Sequence, residues 1–149
     1  MLDFEHLIEV SSLDRNELWA GLVYRARRPD HFNPALCCRI EHISEQQFIR
    51  YIQVGELELR DEVRLIPEEE VRTLIDGRYQ PMHAESLTRI EETASGVLCV
   101  RFSYRRDSIT DQGGIQADEY LKSAYQQMDR AAIAQIQQLA AEGWSKTLM

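Results

Sequence analysis

Residues 47–66 read QFIRYIQVGELELRDEVRLI, and the Gly-Glu step in the middle organises them. On either side of it apolar and polar residues alternate with a period of two, the pattern of a half-buried strand. Gly55 takes the first position of a two-residue loop, where a type II′ turn requires a positive φ. That turn sets Val54 opposite Leu57, Ile52 opposite Leu59, Arg50 opposite Asp61 and Phe48 opposite Val63. One face of the hairpin is then apolar except for a cation and a carboxylate that meet each other. Two mismatches that cancel argue for this register, because a slip of one residue would turn every side chain to the other face.

The same period extends both ways from the hairpin. Strands are expected over residues 36–43, 47–54, 57–66, 71–75, 82–91 and 97–105, with turn residues such as Asp76-Gly77 and Ser95-Gly96 in the breaks. Loops this short between consecutive strands imply an antiparallel meander. A loop centred on Ala94 would set Ile90 against Leu98, Thr88 against Val100, Ser86 against Phe102 and Ala84 against Tyr104. Large residues then face small or hydroxylated ones, which leaves room on the inner face.

Further upstream, residues 2–10 alternate as one more strand, with Phe4, His6, Ile8 and Val10 on one face. Asp14 followed by Glu17 has the spacing of a capping box. The helix it opens buries Leu18, Trp19, Leu22, Val23 and Ala26, and leaves Arg25, Arg27 and Arg28 on a solvated end favoured by the helix dipole. Pro29 and Pro34 bracket at most one further turn. Downstream, residues 107–116 read as a flexible loop. Residues 117–142 return to helical spacing, with Leu121, Ala124, Tyr125, Met128, Ala132, Gln135, Ile136 and Leu139 on one face and Gly143 at the C-cap. The order is that of an α+β domain spanning 1–149, helices grouped against one antiparallel sheet.

Composition bounds the function. Seventeen basic and 25 acidic side chains give a net charge of 17 − 25 = −8, and 44% of the residues are apolar. This is the mixture of a soluble globular domain. No basic half or tail exists to hold phosphates, so a nucleic-acid partner is not expected. The longest uninterrupted apolar runs have four residues, too short for a membrane span or a signal-peptide core, so membrane insertion is not expected and the expected location is cytoplasmic. Three cysteines, two of them adjacent, make no disulfide framework and fit a reducing compartment.

Catalytic motifs are sparse. Cys38 and His42 share a strand face but lie about 13 Å apart along it, too far to share a metal, and neither a metal nor a cofactor is expected. There is no phosphate-cradling glycine loop and no nucleophile elbow. The Arg50–Asp61 pair has two readings: a polar anchor inside a cavity, or an ordinary cross-strand salt bridge. Tyr125 lies on the buried helix stripe with Asp129 one turn on, so its hydroxyl needs a partner; it serves as a packed ring or as an acid–base group.

The segment from Glu17 to Arg27, with Pro29 and Phe32-Asn33-Pro34 after it, resembles the first-helix signature of the AtaL-like family. That family takes its name from an acetylaranotin-cluster protein and belongs to the SRPBCC superfamily of START and birch-pollen-allergen-like proteins. Residues 55–65, Ser86 to Glu92, and Ser123 to Asp129 continuing to Ile136 and Gly143 are similar to it in the same order. The resemblance implies a helix-grip fold: a curved seven-stranded antiparallel sheet around a long C-terminal helix, with an internal cavity. The superfamily holds lipid carriers, hormone receptors, polyketide aromatase/cyclases and co-chaperone activators, so membership implies the fold and leaves the activity open.

The expectation is thus a protein, monomeric or homodimeric, that binds a small, largely apolar molecule such as a lipid or polyketide. The expected lining is Arg50 and Asp61 with Phe48, Ile52, Leu59, Val63, Thr88, Val100, Phe102, Tyr104, Tyr125 and Met128. The alternatives are a cyclase or dehydratase using Arg50, Asp61 and Tyr125 in that cavity, and a module that binds a protein partner through the sheet's outer face or the cavity mouth.

Overall fold

The computed structural model describes residues 2–107 and 114–143. Its elements run β1 (Leu2–Val10), α1 (Arg15–Arg27), a 3-10 turn (Pro29–His31), β2 (Leu36–Ser44), β3 (Gln47–Val54), β4 (Leu57–Ile66), β5 (Glu70–Ile75), β6 (Ala84–Glu92), β7 (Leu98–Arg106) and α2 (Gly114–Ala141). The seven strands form one antiparallel sheet in the order β1-β7-β6-β5-β4-β3-β2. Six strands make the meander. β1 closes along β7, pairing Phe4 with Tyr104 and His6 with Phe102.

The β3–β4 hairpin has the register its alternation predicts, with Arg50 opposite Asp61 and Phe48 opposite Val63. Gly55 takes a φ of 60° while Glu56 stays at negative φ, which makes the turn type II′ rather than I′. The β6–β7 hairpin differs from expectation by two residues: Ile90 faces Val100, Thr88 faces Phe102, Ser86 faces Tyr104 and Ala84 faces Arg106. Its loop spans Thr93 to Val97 and turns at Gly96, with a φ of 85°. A shift of two preserves the face of every side chain, so small residues still stand opposite large ones.

Asp14 caps α1 as its spacing requires: its side chain accepts from Glu17 N at 2.8 Å, and Glu17 Oε1 accepts from Asp14 N at 3.1 Å. α1 buries Leu18, Gly21, Leu22 and Ala26, and with α2 it closes one end of the sheet's inner face. The core there joins Val10, Leu18, Leu22, Phe48, Val63, Val100, Phe102, Ile133 and Ile136.

α2 begins at Gly114, three residues earlier than its spacing predicts, and Gly143, at φ 79°, ends it. The expected loop over 107–116 otherwise falls on residues 108–113, outside those described. The buried stripe of α2 is also rotated from the expected one. Asp129, Ala132, Ile133 and Ile136 face the sheet, whereas Met128 is 46% exposed. The expected stripe passed over Asp129 because it is charged, and the core admits it because three polar partners surround it. No helix among the described residues is long and apolar enough to cross a membrane.

Candidate functional site

The inner face of the sheet is set out in rows that cross the strands. One row runs Phe4, Tyr104, Ser86, Thr73, Val63, Phe48, His42. A neighbouring row places Arg106 beside Ala84 and Ala84 beside Ile75. Toward α1 the positions are large and closed: Phe48, Val63, Val100 and Phe102 are at most 1% exposed. In the middle, Thr73, Ala84 and Ser86 are small and partly exposed although they face inward, as are Ile52, Leu59, Thr88, Tyr104 and Tyr125. The Thr73 and Ser86 hydroxyls hydrogen-bond to each other. The inner face is therefore packed under α1 and looser under the first half of α2.

Three polar networks stand on this face. In the first, Arg50 Nε and Nη2 donate to Asp61 Oδ1 and Oδ2 at 2.9 and 2.6 Å, a bidentate pair, while Nη1 donates to the Ala26 carbonyl at 3.0 Å. All three guanidinium nitrogens are engaged, and the pair fastens the C-terminal end of α1 to the sheet. Cys38 lies in the same corner, its thiol pushed up chiefly by burial, which Arg50 partly opposes.

The second network is one that sequence reasoning missed. Asp129 is fully buried, and its Oδ2 accepts from the Tyr104 hydroxyl at 2.5 Å and lies 2.7 Å from His6 Nε2. Arg25 Nη1 stands 3.0 Å from Oδ1. A carboxylate only accepts, so the proton of that imidazole hydrogen bond belongs to Nε2. Burial, and then the Asp129 charge, push the Tyr104 phenol far above its ordinary range. Arg25 is thus part of the interior rather than of a solvated helix end. The partners of Asp129, namely His6 of β1, Arg25 of α1 and Tyr104 of β7, lie 123, 104 and 25 residues from it in the chain, so no local spacing announces the cluster. The one signal was Asp129 itself, a charge on the apolar stripe of α2.

In the third network Tyr125 stacks on Tyr104 with ring centroids 4.1 Å apart, and its hydroxyl accepts from Arg106 Nη1 at 2.9 Å. That hydroxyl keeps its own proton to give. Arg50, Asp61 and Tyr125 therefore belong to different networks instead of converging on one point.

The outer face carries a different feature. A trough of about 600 Å³ crosses it, lined by two registered rows that include Arg64, Arg72, Leu74, Glu85, Leu87 and Arg105. Its charges are mixed and it lies across the sheet from Tyr104 and Tyr125, so it is not the inward cavity expected from the sequence.

Solved structures share this architecture. The chain is 16% identical to the di-domain ARO/CYC StfQ from the steffimycin biosynthetic pathway, with a TM-score of 0.67 over 95% of this chain and 51% of that one. It thus spans about half the length of that protein. It is 13% identical to a START superfamily protein from Mycobacterium smegmatis (TM-score 0.64, 92% and 98% of the two chains). Against the ZhuI aromatase/cyclase from Streptomyces sp. R1128 it is 14% identical (TM-score 0.60, 93% and 94%). At such identities the likeness is one of fold. No curated protein matches the sequence. The family model described as acetylaranotin biosynthesis cluster protein L matches residues 7–143, and the chain belongs to that family.

Proposed function

We propose that the protein binds a small, largely apolar molecule between the inner face of the sheet and the first half of α2. The observation that carries this reading is the contrast along the inner rows: closed at Phe48, Val63, Val100 and Phe102, but partly exposed at the small residues Thr73, Ala84 and Ser86. Small side chains facing inward beneath a helix leave volume, and such volume is mostly apolar with a few placed polar groups. Ile52, Leu59, Thr88, Tyr104 and Tyr125 form the walls in this reading, and the four closed residues form the packed base. Arg50 and Asp61 hold the wall to α1, their donors and acceptors already matched. The shared fold of aromatase/cyclases and a START protein supports the same reading.

Native mass spectrometry of the protein as purified is the direct test, with N-phenyl-1-naphthylamine fluorescence as its complement. A small-molecule adduct that leaves on denaturation, or saturable probe uptake, is expected. A bare chain that also leaves the probe dark would overturn the reading.

A further inference from the structure

Arginines and carboxylates on the inner side do not balance. Arg50 is matched by Asp61 and Arg25 by Asp129. Arg106, at the end of β7 and opposite the small Ala84, has no carboxylate within ion-pair distance among the described residues. Its Nε donates to the Asp107 backbone carbonyl at 3.3 Å and its Nη1 to the Tyr125 hydroxyl. Nη2 meets only the Met82 sulfur, at 3.9 Å, a weak acceptor. The Asp107 carboxylate is turned away, accepting from His83 N at 2.9 Å. Arg106 thus offers an unmatched charge with an underused donor edge, and the Tyr125 O–H stands next to it. Both border the looser part of the inner face, against the stacked rings of Tyr104 and Tyr125.

We infer that the occupant is an amphipathic organic anion, its carboxylate- or sulfonate-like head held by Arg106 with the Tyr125 hydroxyl beside it and its apolar body along the Tyr104–Tyr125 stack. The inference rests on the apolar-binding reading above and adds the headgroup. A guanidinium matches a two-oxygen anion with its fork, and hydrogen bonds between charged groups are about twice as strong as neutral ones. A partly enclosed site screens such a pair less than the open surface does.

Two probes with one ring system separate headgroup from body: 8-anilino-1-naphthalenesulfonate, an anion, and N-phenyl-1-naphthylamine, which lacks the sulfonate. The native chain should bind the anion about tenfold more tightly, Arg106→Gln should abolish that preference, and affinity for the neutral probe should stay within about twofold. Tyr125→Phe should cost the anion a smaller factor. Arg105→Gln, the outward-facing neighbour, should leave both affinities unchanged. Should the glutamine variant unfold, Arg106→Lys, which keeps the charge and loses the fork, should weaken the anion alone. Equal binding of both probes by the native chain, or equal weakening of both by Arg106→Gln, overturns the headgroup assignment and leaves the apolar-binding reading standing. If neither probe binds, both readings fall together.

Discussion

Gly21 of α1 lies so close to Ile136 of α2 that a methyl group on it would come within 2.3 Å of the isoleucine Cγ2 and 2.9 Å of Cγ1. The glycine is there for the helix crossing, at the expense of helix propensity. In an open helix Gly→Ala gains about 1 kcal/mol. Here overpacking of about 1–3 kcal/mol opposes it. Gly21→Ala should therefore lower stability by up to about 2 kcal/mol in urea titration, and the same change in an Ile136→Ala background should raise it by about 1. A stabilised single variant would mean the two helices part at little cost.

Arg50 and Asp61 form a pair buried on both sides, with side chains 12% and 5% exposed. Asp61→Ala leaves the guanidinium without its carboxylate and should cost about 3–5 kcal/mol, against under about 1 for a surface pair. Replacing both partners with apolar residues should recover much of that loss. A urea midpoint for Asp61→Ala close to that of the native chain would place the pair in solvent.

How far the sequence carries can be seen by comparing that pair with Asp129. Arg50 and Asp61 are 11 residues apart, and a two-residue turn with alternation on both sides fixes their meeting; local rules suffice. The β6–β7 register lies two residues from the one its spacing suggests because a five-residue loop has no such unique geometry, yet every side chain keeps its face since parity is preserved. Asp129 meets partners from β1, α1 and β7 that are joined only by the closure of β1 onto β7 and of α2 onto the sheet. Nothing in the spacing of His6, Arg25 and Tyr104 announces it. The same limit explains Arg106, which alternation places facing inward but whose lack of a carboxylate partner among the described residues is a property of the assembled face.

Glu68 sits at a φ of 62°, the one non-glycine residue at positive φ among those described. It follows Pro67, and Glu69 N donates to the Ile66 carbonyl at 2.9 Å, closing a turn of type II shape. Left-handed backbone costs a residue with a Cβ about 1–2 kcal/mol, part of which glycine returns as unfolded-chain entropy. Glu68→Gly should raise stability by up to about 1 kcal/mol, or about 2–4 °C in a thermal scan. The bond from Arg15 to the Glu68 carbonyl is to backbone and survives the change. A lowered melting temperature would show that the turn carries no strain.

Acid should unfold the sheet from its outer face. Burial works to raise the Glu70 carboxyl, but hydrogen bonds from Arg72 and Arg89 outweigh it and hold it below its ordinary 4.5. A hydrogen bond from Arg101 likewise lowers Glu91, and one from Arg78 holds the exposed Asp76 at about 2. A depressed carboxylate contributes stability above its unfolded value and loses it as pH falls through the folded one. Stability should be flat from neutrality to near pH 5 and fall progressively below about 4.5. Glu70→Gln should start lower and fall less steeply across that interval. An unchanged slope in that variant would remove Glu70 from the acid transition.

Asp129 should be the most sensitive carboxylate among the described residues, since it is fully buried and Arg25, His6 and Tyr104 all meet it. Asp129→Asn keeps the shape and one oxygen but leaves Arg25 facing a neutral group, which should cost about 3–5 kcal/mol. The tyrosine gives a second readout. Burial and the Asp129 charge raise the folded Tyr104 phenol above its ordinary 10.0. A raised folded value contributes stability that is full below the unfolded value and is lost as pH rises beyond it. The native chain should therefore lose stability above about pH 10, with this phenol ionising, by absorbance near 295 nm, only as the chain unfolds. In Asp129→Asn the electrostatic part of that protection is gone, so the alkaline loss should be shallower although the chain is less stable at neutrality. Equal alkaline slopes in the two proteins would leave burial as the sole cause of the shift and would remove Asp129 as its electrostatic source.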